Sequence, residues 1–305
     1  MVVECWSMYS RVHTQKTYVT LSIGVLVIVL ILWLANSHRS SCNVAYIKLH
    51  GEVVTYIAPP TDVATSTVYT YLSFPPSDAT STDTSDPTAP PDTSVAALDQ
   101  TASEDVTQAI RQAAANPSIK AIVLEVDSYG GSPVGGQEME LALKHAQKPT
   151  VALIRGSGDS AAYMAATGAD TIFASIFSDV ADIGITQSYV DNSKQDVANG
   201  LTFDQLSVGK YKDMFNPDKP LTADERTLAM KELQIGYQNF VKVVAENRHL
   251  SISKVTALAN GATMTGEEGV QAGLVDKIGD VDDVRSYLSV ELKQKTVICG
   301  IDSVQ

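Results

Sequence analysis

Residues 121–154 read AIVLEVDSYGGSPVGGQEMELALKHAQKPTVALI, and this stretch decides the fold. Ala121 to Val126 is a short apolar run with the signature of a buried strand, and Thr150 to Ile154 is a second one. Between them lie a Gly-rich turn and a helix predicted from about Gly136 to Ala146. Strand, turn, helix and strand in this order form a βαβ unit. Strands buried on both faces imply a parallel sheet sandwiched by helices, hence an α/β domain.

The same alternation extends in both directions. Downstream, Ser160 to Thr167 reads as a short helix rich in small residues, Thr171 to Ala174 as a strand and Thr222 to Asn247 as a long amphipathic helix. Upstream, Thr101 and Glu104 are spaced as a capping box ahead of Val106, Ile110 and Ala113, with Pro117 closing that helix. Asn43 to Leu49 is a strand-like run that leads into a predicted turn at His50-Gly51.

Composition narrows the function. The chain has 305 residues, 44% hydrophobic and 19% charged, which excludes wholesale disorder and leaves room for a sizeable core. A formal charge of −13 with no Lys/Arg cluster argues against binding nucleic acid. Cys5, Cys42 and Cys299 are too few and too scattered to suggest a disulfide framework or a zinc site, and no CxxC pair occurs. No metal and no cofactor is expected.

Thr17 to Ser37 carries no charge and is long enough to cross a hydrocarbon core of roughly 30 Å, with Tyr18 and Trp33 placed as interfacial aromatics. The expected layout is a stub at 1–16, a transmembrane helix at 17–37 in contact with the lipid bilayer, a domain at 44–288 and a tail at 289–305. Flanking basic residues balance, so charge does not orient the span. Within the domain, about 59–98 is a low-complexity insertion: Pro75 to Ser94 contains only Pro, Ser, Thr, Asp and Ala, too little apolar surface to offset chain entropy.

Two turns each follow a strand and open a helix, at Asp127 to Pro133 and at Arg155 to Tyr163. Backbone amides at such turns can stabilise an oxyanion or bind a phosphate. Neither carries the glycine fingerprint of a dinucleotide site, and no Walker A sequence occurs. The five histidines, at 13, 38, 50, 145 and 249, show no triad context. A serine nucleophile would need another base, and a desolvated lysine can serve. Lys210 and Lys212, in SVGKYKD, are the candidates.

The order of these blocks resembles the SppA-type signal peptide peptidases of the protease IV family. Ser128-Tyr129-Gly130-Gly131 is similar to the family's Ser-Pro-Gly-Gly block, with Tyr for Pro. Ser160-Ala161-Ala162-Tyr163 and then Ala169-Asp170-Thr171-Ile172-Phe173-Ala174 resemble the nucleophile block and the strand after it. Gly209 to Asp213 resembles the block of the basic lysine, and Thr265 to Gly279 the closing signature.

The resemblance, which runs from Val44 to Leu288, implies a ClpP/crotonase-like repeated β-β-α fold and a membrane-anchored serine endopeptidase. Ser160 is implied as nucleophile and Lys212, 52 positions on, as general base, with Lys210 the alternative. The amide of Ala161, with that of Gly130 or Gly131, would form the oxyanion hole. Peptide or protein substrates, a homo-oligomer and an extracytoplasmic domain are implied with it. One departure stands out: Asp182 occupies the place of a family Ser beside the lysine, where a carboxylate would favour the charged ammonium. The competing expectations are a catalytically impaired, peptide-binding scaffold and an acyl-CoA enzyme on the related fold.

Overall fold

The computed structural model describes residues 42–57 and 99–300. The stub, the expected span at 17–37 and the insertion at 59–98 lie outside the described residues. Among the described residues no helix is long and apolar enough to cross a membrane.

In chain order the elements are β1 (Val44–Val54), β2 (Gln100–Ala102), α1 (Ser103–Ala115), β3 (Ala121–Gly131), α2 (Pro133–Lys144), β4 (Thr150–Asp159), α3 (Ser160–Ala166), β5 (Thr171–Ala174), β6 (Asp179–Ala181) and α4 (Ser193–Ala198). They continue with α5 (Ala223–Asn247), α6 (Ile252–Leu258), β7 (Thr263–Thr265), α7 (Gly266–Ala272), β8 (Lys277–Ile278), α8 (Val281–Glu291) and β9 (Ile298–Gly300). The main path of the sheet is β2-β1-β3-β4-β5-β8, and every pairing along it is parallel. β6 extends β4's pairing beyond β5 and joins antiparallel to β7.

Both faces of the sheet are covered, as the continuous apolar strands require. Ile47, Leu49, Ile122, Leu124, Ala152 and Ile154 join side chains of α1, α2, α3 and α5 in the larger core. The alternate residues Val44, Val123, Val151, Leu153 and Phe173 pack with Val284 and Leu288 of α8. Strand period and helix period therefore agree on one two-faced sheet.

A charged group stands in that second layer. Glu125 is 2% exposed and accepts hydrogen bonds from the Tyr46 hydroxyl and from Arg155 Nη1 at 3.2 Å, with His50 Nε2 at 2.8 Å. Two of these partners come from β1 and one from β4, so the carboxylate ties the three central strands together. Those bonds hold its pKa below the ordinary value, against the opposing effect of burial.

Three expectations are corrected. β1 does not turn at His50-Gly51; it continues to Val54 across a register shift. Gly51 takes φ +66°, and a Cβ there would lie 2.0 Å from the Asp99 carbonyl oxygen, so the irregularity requires glycine. Thr101 does not cap α1: Ala102 is the N-cap, and the Thr101 hydroxyl donates instead to the His50 carbonyl at 2.6 Å. The sheet won that competition because β2 pairs with the end of β1 at this point.

The cysteines are the third correction, since Cys42 and Cys299 form a disulfide across 257 residues. Parallel pairing of β9 with β1 places Cys299 opposite Ala45 and brings the two Cα atoms to 5.8 Å. No spacing rule could show this, because the juxtaposition is made by the sheet. Replacing Cys299 with Ser should lower the unfolding free energy by about 2–4 kcal/mol. Denaturant titration of the full chain would measure it, and the variant should match the wild type in reductant.

Candidate active site

β4 runs into α3 without an intervening residue, Asp159 ending the strand and Ser160 opening the helix. That junction cannot be made with ordinary dihedrals. Ser160 takes φ +51°, a left-handed conformation that a non-glycine residue adopts at a cost of order 1–3 kcal/mol. The helix beneath it is built of small residues, and Ala161, Ala162, Ala165 and Ala166 are all buried. Tyr163 is fully buried and donates its hydroxyl proton to the Leu274 carbonyl at 2.8 Å, which fixes the helix to the C-terminal part of the domain.

The end of β3 presses against this junction. A Cβ on Gly130, whose φ is +97°, would lie 2.8 Å from Ser160 Cβ and 3.0 Å from the Ala161 nitrogen. Only glycine leaves that amide accessible. The Gly130 amide itself donates to Ser128 Oγ at 3.1 Å, and Ser128 Oγ donates to the Gly51 carbonyl at 2.5 Å. Gly131, at φ +140°, lines the space in front of Ser160. Tyr129, between Ser128 and the two glycines, is 78% exposed, so the turn tolerates Tyr where the resemblance expects Pro.

Ser160 opens into a cleft of about 540 Å³ whose lining includes Gly131, Asp182, Ile185, Tyr237 and Asn260. Asp182 and the preceding Ala181 take φ +45° and +83°, so this edge of the cleft is held in two left-handed residues. Burial raises the pKa of Asp182.

A second carboxyl, which the sequence reading missed, belongs to the residue immediately before Ser160. Asp159 is 3% exposed, and its Oδ1 has no hydrogen-bond partner. Burial, with Asp179 and Asp182 adding repulsion, pushes its pKa up to about 7. An acidic residue before Ser160 is plain in the sequence; its burial follows only from the pairing of β4 with β6, which sets Asp159 opposite Ala181.

The two lysines separate. Lys210 places its ammonium 2.5 Å from Asp224 Oδ2, and that hydrogen bond raises its pKa. It is thereby held in the charged form, which cannot accept a proton. Lys212 is exposed on the turn after Gly209 and is not among the residues that line the cleft. No histidine lines it either. Among the described residues no group of three or more His, Cys, Asp or Glu is placed to hold a metal ion. The site thus presents a hydroxyl, a neighbouring backbone amide, the half-buried carboxyl of Asp182 and, behind them, the buried carboxyl of Asp159, with no amine base in the cleft.

The Asp159 shift has a stability consequence. A carboxyl whose pKa is raised on folding binds its proton more tightly in the native state, so stability falls as pH rises from the unfolded value near 3.8 to about 7. Asp159→Asn should therefore stabilise the protein by at least about 1 kcal/mol at pH 8, and the gain should vanish below about pH 4. Thermal unfolding at several pH values checks both.

The described geometry coincides with sequence similarity. A family model for peptidase family S49 matches residues 142–295, which include α3, the Lys212 turn and β7 to α8. The chain is 35% identical over 176 residues to a protease-named protein of Methanocaldococcus jannaschii, covering 56% of this chain and 56% of that one. It is 35% identical over 180 residues to protease 4 of Salmonella typhi, 57% of this chain and 28% of that protein. The chain thus spans about half or less of the length of these curated relatives. Among solved structures, a ClpP1 mutant from Listeria monocytogenes aligns with a TM-score of 0.42 at 15% identity, over 59% of this chain and 85% of that one.

Proposed function

The chain belongs to peptidase family S49, and from that premise we propose a membrane-tethered serine endopeptidase in which Ser160 attacks a peptide carbonyl and Lys212 supplies the base. The observation that carries the reading is the strained Ser160 hydroxyl facing a cleft beside the Ala161 amide, with Gly130 keeping that amide accessible. Substrates are hydrophobic or unfolded peptides, signal-peptide remnants among them. Residues 17–37 hold the chain in the lipid bilayer with the domain outside the cytoplasm. The Cys42–Cys299 bond supports that location, because structural disulfides persist in oxidising compartments.

In the reaction, neutral Lys212 takes the Ser160 proton and the alkoxide attacks the carbonyl carbon. The oxyanion accepts a hydrogen bond from the Ala161 amide, with Gly131 on the other side of the cleft. The ammonium then returns its proton to the leaving amine, and water releases the acyl group by the same route. Lys212 reaches Ser160 either by movement of its own turn or from a neighbouring copy in a homo-oligomer. Its exposure, together with a cleft lined by Asp182 and by no cation, supports an arriving lysine.

Ser160→Ala and Lys212→Ala should each reduce peptidase activity by at least about 10³-fold, and full activity in Lys212→Ala would overturn the assignment. If neighbouring copies share the site, mixing the two inactive variants should restore up to about a quarter of wild-type activity, the statistical yield of correct pairs. A base donated within one chain restores none.

Asp182 favours a second reading, a peptide-binding scaffold in which the carboxylate keeps Lys212 charged. The two readings part on one profile. In an active enzyme, Asp182→Ser should move the acidic limb of the pH–rate curve to lower pH by about one unit. Absence of any fluorophosphonate labelling at Ser160 in the wild type favours the scaffold.

A further inference from the structure

Asp159 stands at the N-cap of α3, a position where aspartate is favoured because its carboxylate accepts hydrogen bonds from the first free amides of a helix. Asp280 does this for α8, accepting from the amides of Asp282 at 2.8 Å and Asp283 at 3.2 Å. Asp159 makes no such bond. The difference lies in the next residue, since a capped helix begins with right-handed dihedrals and Ser160 takes φ +51°. The turn that aims the nucleophile therefore withholds from Asp159 the amides that would stabilise its charge, and no capping carboxylate occupies the Ala161 amide.

The other neighbours do not replace those donors. Asp159 is buried and its Oδ1 has no partner. Ser157, on the same strand, is the side chain that favours the ionised form, whereas Asp179 of β6 and Asp182 beyond it repel a charge on Asp159. On β3, Asp127 is engaged with the Ser157 amide at 3.0 Å and Ser128 with the Gly51 carbonyl. Tyr163 of α3 turns its hydroxyl to Leu274. β7 sets Thr263 and Thr265 opposite Ala181 and Asp179, and Glu268 of α7 is bonded to Thr265. Among the described residues, Asp159, Asp179 and Asp182 have no salt bridge to Lys, Arg or His.

The repulsion between Asp159 and Asp182 has a further consequence, because Asp182 lines the Ser160 cleft. A negative charge on Asp159 is felt in the cleft itself, through protein rather than bulk water, where screening is weak. Attack of Ser160 on a carbonyl places negative charge first on Oγ and then on the carbonyl oxygen, both in that cleft.

We infer that Asp159 is a positioning residue that confines the reaction to its own protonated state: as the neutral acid it completes the nucleophile turn without opposing the oxyanion, and as the carboxylate it opposes it. The inference rests on the peptidase reading. Asp159 exchanges its proton with solvent and passes none to the substrate. The base at Lys212 gains its active form as pH rises while Asp159 loses its own, so the two groups set opposite limbs of the pH–rate curve. Burial, with Asp179 and Asp182, places the Asp159 limb near pH 7.

The test compares the full chain with its Asp159→Asn and Asp159→Ala variants in detergent, at a temperature where circular dichroism shows all three folded. Two rates are read, fluorophosphonate labelling of Ser160 and hydrolysis of fluorescein-labelled casein. Taking the variant-to-wild-type ratio at each pH cancels the titrations that the proteins share. That ratio should rise at least about tenfold between about pH 5.5 and about pH 9, with its midpoint near pH 7. The rise should lie in kcat rather than KM, since the charge acts on the transition state. A purely structural role for Asp159 would change the ratio equally at every pH. A ratio that stays flat in both variants overturns the inference, and the peptidase reading then stands on hydrolysis by the wild type. Neither labelling nor hydrolysis by any of the three proteins at any pH overturns both.

Discussion

The structure depends on one backbone constraint: β4 passes into α3 with no residue between them, and Ser160 absorbs the change of direction in a left-handed conformation. Such a turn is sustained only if its surroundings leave no alternative. Here they do so through contacts of backbone with backbone. Gly130 packs against Ser160 and the Ala161 nitrogen, and a Cβ on Gly136 of α2 would come within 2.5 Å of the Ala161 carbonyl oxygen. The two helices and the end of β3 therefore meet closely at Ser160. The small residues of α3 and the glycines of the first turn serve one purpose, which is to bring main chain close enough to aim one hydroxyl.

Against that rigid centre, the electrostatics are unusual. Asp159 sits behind the nucleophile and Asp182 in front of it, and burial raises the pKa of both. A developing oxyanion gains nothing from ionised carboxylates nearby, whereas an approaching ammonium does. Of the two lysines of the downstream block, Lys210 is paired with Asp224 and Lys212 lies outside the cleft.

Much of the fold was legible because parallel strands buried on both faces must be apolar throughout. β5 was read residue for residue, and α5 to within its N-cap, where Thr222 and Glu225 form the capping box. Local pattern failed where pairing partners overrode it: Thr101 gave its hydroxyl to β1 rather than to α1, and β1 ran on past Gly51. The site was legible in part. Ser160, Gly131 and Asp182 line one cleft, and Ala161 lies beside Gly130 at its edge. The burial of Asp159 was not legible, since it follows from the pairing of β4 with β6. Lys212 was legible as a residue type in a block, and the structure sets it outside the cleft that Ser160 lines.

The Cys42–Cys299 bond joins the outermost ends of the described domain and encloses almost all of it in one covalent loop. A single backbone scission inside that loop, in the low-complexity tract for example, cannot release a fragment. The nicked molecule keeps its mass until reductant is added, and the part bearing Ser160 stays attached to the N-terminal segment. Under oxidising conditions the described domain thus stays covalently joined to the residues that precede Cys42 after such damage.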